Sequence, residues 1–370
     1  MIGIRVDANE TVASGHMMRC MAIAAQLRNY NQEVIFITAD NWAVSLLNEQ
    51  GYHSINLNTK WDHMEDEVDS LAQVLNEHNI DLLLVDSYQV TSEYFKNIHQ
   101  HVKVIYLDDR NAFFYHVDGV INYCHYYKEF HYESVYPELV PVNVCGNEED
   151  GYLNGDYWHH TPDENIRFWL GCKYIPLREE FQGNAKKTIV PEIRRVMITT
   201  GGSDPYRISE VITDEILKAE LNWEIHLVAG RFYDNVEHLK KKYQCNNNVY
   251  IHQNQKMSVL MEMCDIAISA GGTTLYELCS LGVPTICFAF AENQCLGTKQ
   301  MQKQGIMLNL GDYTKDHNEF VSNLRSSIKK IQSENFRKEI SEKMLALVDG
   351  KGAQRIARVL MERAKDVSIT

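Results

Sequence analysis

Short apolar runs alternate with amphipathic stretches through the first half of the chain. "IGIRV", "EVIFIT", "HSINLN", "DLLLVD", "KVIYLDD" and "GVINY" read as strands. Between them His16 to Arg28, Trp42 to Gln50, Asp66 to Glu77 and "TSEYFKNIHQ" read as helices. In the first of these, Met18, Met21, Ala22 and Ala25 set the helical spacing. Continuous apolar strands separated by helices predict a parallel sheet covered on both faces. The second half repeats the alternation. "RRVMITTGGSD" is a strand ending in a glycine turn, "ISEVITDEILKA" a helix, "WEIHLVAG" and "VYIHQ" strands, and "SVLMEMC" a helix. "DIAISAGGTTLYELCSLG" runs strand, loop and helix, and "PTICFAF" is a strand. From about Asn318 to Ala364 the pattern is helical throughout. The polar, glycine-bearing "CGNEEDGYLNGDYWHHTPDEN" breaks the alternation and reads as a loop or short hairpin. "QGNAKKTIVPE", Gln182 to Glu192, is the best linker.

This grammar predicts an α/β protein of two doubly wound, Rossmann-like domains facing a central cleft, residues 1–182 and 190–370. A length of 370 residues favours two domains over one. Composition narrows the function classes. With 45% hydrophobic and 23% charged residues the chain is an ordinary globular mixture. A net charge of −14 argues against a nucleic-acid partner, while leaving room for a local phosphate pocket. The nine cysteines include no Cys-x-x-Cys pair, so neither a zinc site nor a disulfide framework is expected. No leader-like segment and no apolar run of about 18 residues is present, so a cytoplasmic protein without stable membrane insertion is expected. No oligomeric state follows from the sequence.

Ligands of doubly wound sheets bind beyond the carboxyl ends of the strands. That rule selects three loops. In "TTGGSDP", Gly201, Gly202 and Ser203 let backbone approach a phosphate, and a following helix supplies free N–H donors. The alternative is a tight strand-to-helix turn capped by Asp204. In "SAGGTTLYE", Gly271, Gly272, Thr273 and Thr274 offer amides and hydroxyls to a diphosphate. Glu277, one turn on, can accept both hydroxyls of a ribose, or simply complement the helix dipole. The third loop is "VDANETVASGHMMRC". His16 stands beside Gly15 at a helix N-terminus, where the dipole disfavours an imidazolium and leaves a proton acceptor. The alternative is a capping or packing histidine.

At these residues the chain resembles the PseG/SpsG family. "GIRVDANETVASGHMMRCMAIAAQL" is similar to that family's opening, and "LLLVDSYQVT" to its strand ending in Asp-x-Tyr. "VIYLDDRNAFFYHVDGVINYCHYY", "LGCKYIPLREEF", "TTGGSDP" and "ISAGGTTLYELCSLGVPTICFAFAENQ" follow in the family's order, from residue 2 to about 305. The stretch from Cys145 to Glu164 and the helical C-terminus are longer than the family's.

The resemblance implies a GT-B fold, related to the glycosyltransferase of lipid II synthesis. It implies hydrolysis of UDP-2,4-diacetamido-2,4,6-trideoxy-β-L-altropyranose, with water attacking the anomeric carbon and UDP leaving. His16 is then the general base, with Tyr88 orienting water or sugar and Asp7 orienting His16 or binding the sugar, the alternative for Asp7 being a loop cap. Gly15, Arg19, Asn293 and Gln294 are candidates for the sugar and diphosphate. No cofactor is implied, and the lack of a DxD motif at a phosphate position implies no metal. The competing classes are a GT-B glycosyltransferase and a catalytically silent UDP-sugar binder. The transferase predicts an exposed apolar patch on the first domain, for which "NAFFYH" and "NYCHYYKEFHYESVY" are candidates.

Overall fold

The computed structural model describes residues 1–8, 15–147, 152–162, 165–182, 187–230, 233 and 236–365. They fall into two compact units: Met1–Glu179 with the C-terminal stretch from Gly350, and Glu180–Asp349.

In the first unit the strands are β1 (Ile2–Val6), β2 (Val34–Thr38), β3 (Ser54–Asn56), β4 (Leu82–Asp86), β5 (Lys103–Leu107), β6 (Gly119–Asn122), β7 (Val140–Asn147), β8 (Tyr152–His160) and β9 (Asn165–Leu170). They form one sheet in the order β3-β2-β1-β4-β5-β6-β9-β8-β7. Strands β1 to β6 and β9 are parallel, and β8 and β7 add antiparallel. The helices are α1 (Gly15–Asn29), α2 (Val44–Glu49), α3 (Val68–Glu77), α4 (Ser92–Ile98) and α5 (Tyr132–Val135). The central strands β1 and β4 are buried at every position, as continuous apolar runs require. Ile35, Leu71, Val85, Phe95 and Val104 belong to the core. Of the two readings of the polar segment, loop or hairpin, the structure has the hairpin: β7 and β8 pair antiparallel and widen the sheet; residues 148–151 and 163–164 of the segment lie outside the described residues.

The second unit contains β10 (Arg195–Thr199), β11 (Glu224–Ala229), β12 (Val249–Gln253), β13 (Ile266–Ala270), β14 (Thr285–Ala289) and β15 (Leu308–Asp312). Their order is β12-β11-β10-β13-β14-β15, all parallel. Helices α6 (Ile208–Lys218), α7 (Val236–Lys242), α8 (Met257–Met263), α9 (Thr274–Leu281), α10 (Glu292–Lys303), α11 (His317–Ile331) and α12 (Glu334–Leu347) accompany them. The core runs through Ile198, Ile212, Leu227, Ile268 and Phe288. The helical tail is broken where Ser333 caps α12 through the Phe336 amide.

The last helix, α13 (Gly352–Lys365), packs on α1 and so belongs to the first unit, not to the second as the sequence pattern suggested. Its buried stripe, Ala353, Ile356, Ala357 and Leu360, has helical spacing. The docking is close at Gly352, where a Cβ would stand 2.1 Å from the Ile175 carbonyl oxygen. Backbone cannot yield as a side chain can. We expect Gly352→Ala to cost about 1–3 kcal/mol, the range for overpacking, read as a fall in unfolding midpoint. An unchanged midpoint would show that α13 is docked by its apolar stripe alone. No helix among the described residues is long and apolar enough to cross a membrane.

Candidate active site

Each sheet has one point where the chain, having built outward, returns to build the other way. In the first unit this lies between β1 and β4, and in the second between β10 and β13. Ligand sites form at such points because the loops on either side diverge and leave a crevice. His16 follows β1, and Asp86 ends β4 opposite Val6 of β1. The two therefore meet: His16 Nδ1 lies 2.6 Å from Asp86 Oδ1.

Arg19, one turn beyond His16, donates from Nε to Asp86 Oδ2 at 2.6 Å and from Nη2 to Oδ1 at 2.5 Å. All three side chains are nearly inaccessible. Burial by itself pushes the Asp86 carboxyl up, but the Arg19 guanidinium and the hydrogen bonds from Arg19 and His16 outweigh it and hold Asp86 well below the usual carboxylate range. The Cys20 thiol lies 3.4 Å from Asp86 Oδ2. Among the described residues His16 Nε2 has no hydrogen-bond partner.

Tyr88 meets the His16 ring edge-on, with centroids 4.5 Å apart. Its hydroxyl donates to Asp109 Oδ2 at 2.8 Å. Burial, with the neighbouring Asp109 carboxylate, pushes the Tyr88 phenol far up, so it acts as a neutral donor. Arg110 is exposed and lies 5.4 Å over the Tyr88 ring. Asp109 Oδ1 is buried and has no partner among the described residues.

The sequence-based assignments separate here. His16, Tyr88 and Arg19 converge. Gly15 opens α1, exposed, beside His16. Arg19 is not free for sugar or diphosphate as expected: besides Asp86, its guanidinium donates to the Tyr123 hydroxyl. Asp7 does not orient His16. Its Oδ2 accepts from Arg5 at 2.6 Å and its Oδ1 from the Ala39 amide at 2.8 Å. Residues 9–14 of the opening loop lie outside the described residues. Asp86, Asp109 and Tyr123 went unassigned in the sequence. Their common signal is position: each stands at or just past the carboxyl end of a buried strand.

In the second unit the two glycine loops sit side by side, because β10 and β13 pair directly. The first loop behaves largely as the capped turn. Asp204 accepts from the Ile208 amide at 2.8 Å and the Ser209 amide at 3.0 Å, occupying the first donors of α6. Gly201, in the left-handed region at φ +87°, already donates its amide to Thr199 Oγ1 at 3.2 Å, which leaves Gly202 and Ser203 as this loop's candidate backbone donors. The second loop leads into α9, which has no side-chain cap at Thr273. The amides of Gly271 and Gly272, expected to face a diphosphate, instead donate to the Phe288 and Ala270 carbonyls at 2.8 and 2.9 Å, so this loop's candidate donors are the amides and hydroxyls of Thr273 and Thr274. Gly271 is held tightly against α10; a Cβ there would meet Thr298 Cγ2 at 2.6 Å. Gly272 is open, Thr273 and Thr274 are half-buried, and Glu277 is buried one turn on. Asn293 is exposed in the first turn of α10. Gln294 folds back, its Oε1 accepting from the Phe290 amide at 3.0 Å.

Comparison with known proteins agrees with the fold. Over 98% of both chains, the sequence is 24% identical to the spore coat polysaccharide biosynthesis protein SpsG of Bacillus subtilis (strain 168). The resemblance to the PseG/SpsG family is supported. A protein of Helicobacter pylori (strain ATCC 700392 / 26695), named pseudaminic acid cytidylyltransferase and UDP-2,4-diacetamido-2,4,6-trideoxy-beta-L-altropyranose hydrolase, is 29% identical over 155 residues, 42% of this chain and 28% of that one. The uncharacterized protein MJ1062 of Methanocaldococcus jannaschii is 25% identical over 77% of this chain, which spans 54% of its length. The glycosyltransferase family 28 C-terminal domain matches residues 196–357. Acinetobacter baumannii MurG superposes with a TM-score of 0.64 at 12% identity, covering 98% of this chain and 99% of that one. The fold is GT-B.

Proposed function

We propose that this protein hydrolyses a UDP-linked 2,4-diacetamido-2,4,6-trideoxyhexose, releasing free sugar and UDP, as a step of nonulosonic (pseudaminic) acid biosynthesis. The observation that carries the reading is His16, held by a carboxylate at Nδ1 with Nε2 unpartnered at the switch point of the first sheet. A base so placed takes a proton from water while the water oxygen bonds to C1. The C1–O bond to the diphosphate breaks, and UDP leaves with the electron pair. The uncapped start of α9 suits that diphosphate, and Glu277 the ribose. The hydrolase activity in the name of the H. pylori relative supports the same reaction.

A second reading, transfer of the sugar to an acceptor, draws on the family 28 match. One support for it falls away. Tyr123, Tyr127, Tyr132 and Tyr136 are buried, and Phe113 and Phe114 pack against the core, so the aromatic segments are spent in packing and form no docking patch. The experiment that separates the readings omits any acceptor. Incubated with a panel of UDP-2,4-diacetamido sugars, the protein should yield equimolar UDP and free sugar. Turnover only after an acceptor is added would establish the transferase, and binding without turnover a silent binder.

Nucleotide recognition has its own test. Glu277→Ala should weaken UDP by about 1–3 kcal/mol, the worth of hydrogen bonds to a charged group. Unchanged affinity by calorimetry would remove Glu277 from the ribose role.

A further inference from the structure

We propose that Asp86 and Arg19 are positioning residues that hold His16 as its Nδ1–H tautomer, so that Nε2 is the only proton acceptor of the ring. The catalytic consequence rests on the hydrolase reading; the tautomer does not.

The proton count decides the tautomer. Asp86, ionised, can only accept. At 2.6 Å from Asp86 Oδ1, an unprotonated Nδ1 would set two lone pairs against each other in a buried site. Nδ1 therefore carries the hydrogen and donates it. A competing contact exists: Arg19 Nη2, which can only donate, lies 3.1 Å from the same nitrogen. It would favour the opposite tautomer if it bonded there. It does not: Nη2 carries two hydrogens that diverge by about 120°, whereas Oδ1 and Nδ1, only 2.6 Å apart, lie in nearly the same direction from it, so with one hydrogen on Oδ1 at 2.5 Å the other points away from Nδ1.

Arg19 has a different task. Its planar fork, Nε to Oδ2 and Nη2 to Oδ1, fixes the plane of the carboxylate. A carboxylate free to rotate would not keep one oxygen on Nδ1. The arrangement follows from the chain: His16 and Arg19 are three apart on α1 and share one face. Asp86 is delivered to that face by the pairing of β4 with β1. Tyr88 closes on the ring edge-on and limits its rotation. The hydrogen bond at one ring nitrogen sets the state of the other.

The test reads the tautomer directly, on the full chain with ¹⁵N-labelled histidine. The protein has 15 histidines, and the His16 signals are those lost in His16→Asn. Where the ring is neutral, His16 should show a protonated Nδ1 and a bare Nε2. A wild-type ring protonated on Nε2 overturns the proposal, with or without substrate. Asp86→Asn should shift the ring toward the Nε2–H form. Its kcat should fall about as far as on removing the base, about 100-fold or more, with KM little changed, because a ring in the wrong tautomer presents no acceptor at Nε2. Asp86→Asn with wild-type tautomer and kcat overturns the proposal as well. Arg19→Lys keeps the charge and loses the fork. It should keep the tautomer and lower kcat by about tenfold, the scale of a slightly misplaced group; wild-type kcat there would remove Arg19 from the pair. If Asp86→Asn does not fold, the wild-type tautomer and Arg19→Lys still decide. A wild-type ring in the expected tautomer, in a protein that hydrolyses no UDP-sugar, would overturn the function and leave the positioning intact.

Discussion

His16→Asn should keep its fold and its affinity for UDP while turnover falls by about 100-fold or more, the usual loss on removing a general base. The substitution is gentle where it needs to be. Asn can donate an amide hydrogen to Asp86 Oδ1, the contact that His16 Nδ1 makes, so no new unpaired group is buried. The nucleotide loops belong to the other compact unit and are untouched. What is lost is a proton acceptor. Near wild-type hydrolysis by this variant would sink the mechanism, and a matching loss of thermal stability would mean that His16 only supports the fold. Oxygen-18 water adds an independent reading. Label should appear on the sugar C1 hydroxyl and not in UDP. Label in the UDP phosphate would mean attack at phosphorus, and the base would then have to be sought near "TTGGSDP".

Arg5→Met should be the most destabilising single change at the first sheet, at about 3–5 kcal/mol, the cost of breaking a buried ion pair from one side. Arg5 lies on the central strand β1 and is fully buried. It donates from Nε and Nη2 to both oxygens of Glu67, each at 2.7 Å, and from Nη1 to Asp7. Glu67 is itself fully buried and also accepts from the Tyr94 hydroxyl at 3.0 Å. Burial opposes the guanidinium charge, but Asp7 and Glu67 outweigh it and keep Arg5 protonated. Methionine fills the volume and leaves two carboxylates without their cation. Urea unfolding monitored on the first unit measures the loss. Adding Glu67→Gln removes one of the stranded charges and should recover part of it. A single variant that loses less than about 1 kcal/mol would show that water reaches these carboxylates, as at exposed pairs.

These two residues also mark how far the sequence could be read. The alternation of apolar runs and amphipathic stretches was enough for two parallel sheets, because a strand covered on both faces needs apolar residues at every position. β1, β4, β13 and β14 are buried at every position and apolar at most of them. The glycine loops and His16 were visible for a related reason. Chemistry in such sheets sits at the carboxyl ends of strands, and loop residues there are few.

What the pattern missed has a different cause. Arg5 interrupts an apolar strand, and nothing local says that its partner is Glu67, 62 residues away. The α13 stripe shows that the helix buries one face but not against which unit, since apolar packing has no direction; only the folded chain assigns it to α1. For the polar, glycine-bearing stretch of β7 and β8 the pattern left loop and hairpin open, and strand pairing, not composition, decided for the hairpin.

The sequence by itself determined the elements, the two Rossmann-like sheets and the loops on which chemistry could stand, since these follow from short-range periodicity and turn residues. Tertiary structure decided which side chains serve the site. Asp7 and Asp86 are both acidic residues at the ends of neighbouring strands, and sequence could not choose between them as the partner of His16. The choice turns on where Arg5 and Arg19 lie. Arg5 draws Asp7 toward Glu67, and Arg19 shares Asp86 with His16, so the competition for two cations sorts the carboxylates. Buried charges must be matched to the partners within reach, and reach is a property of the folded chain.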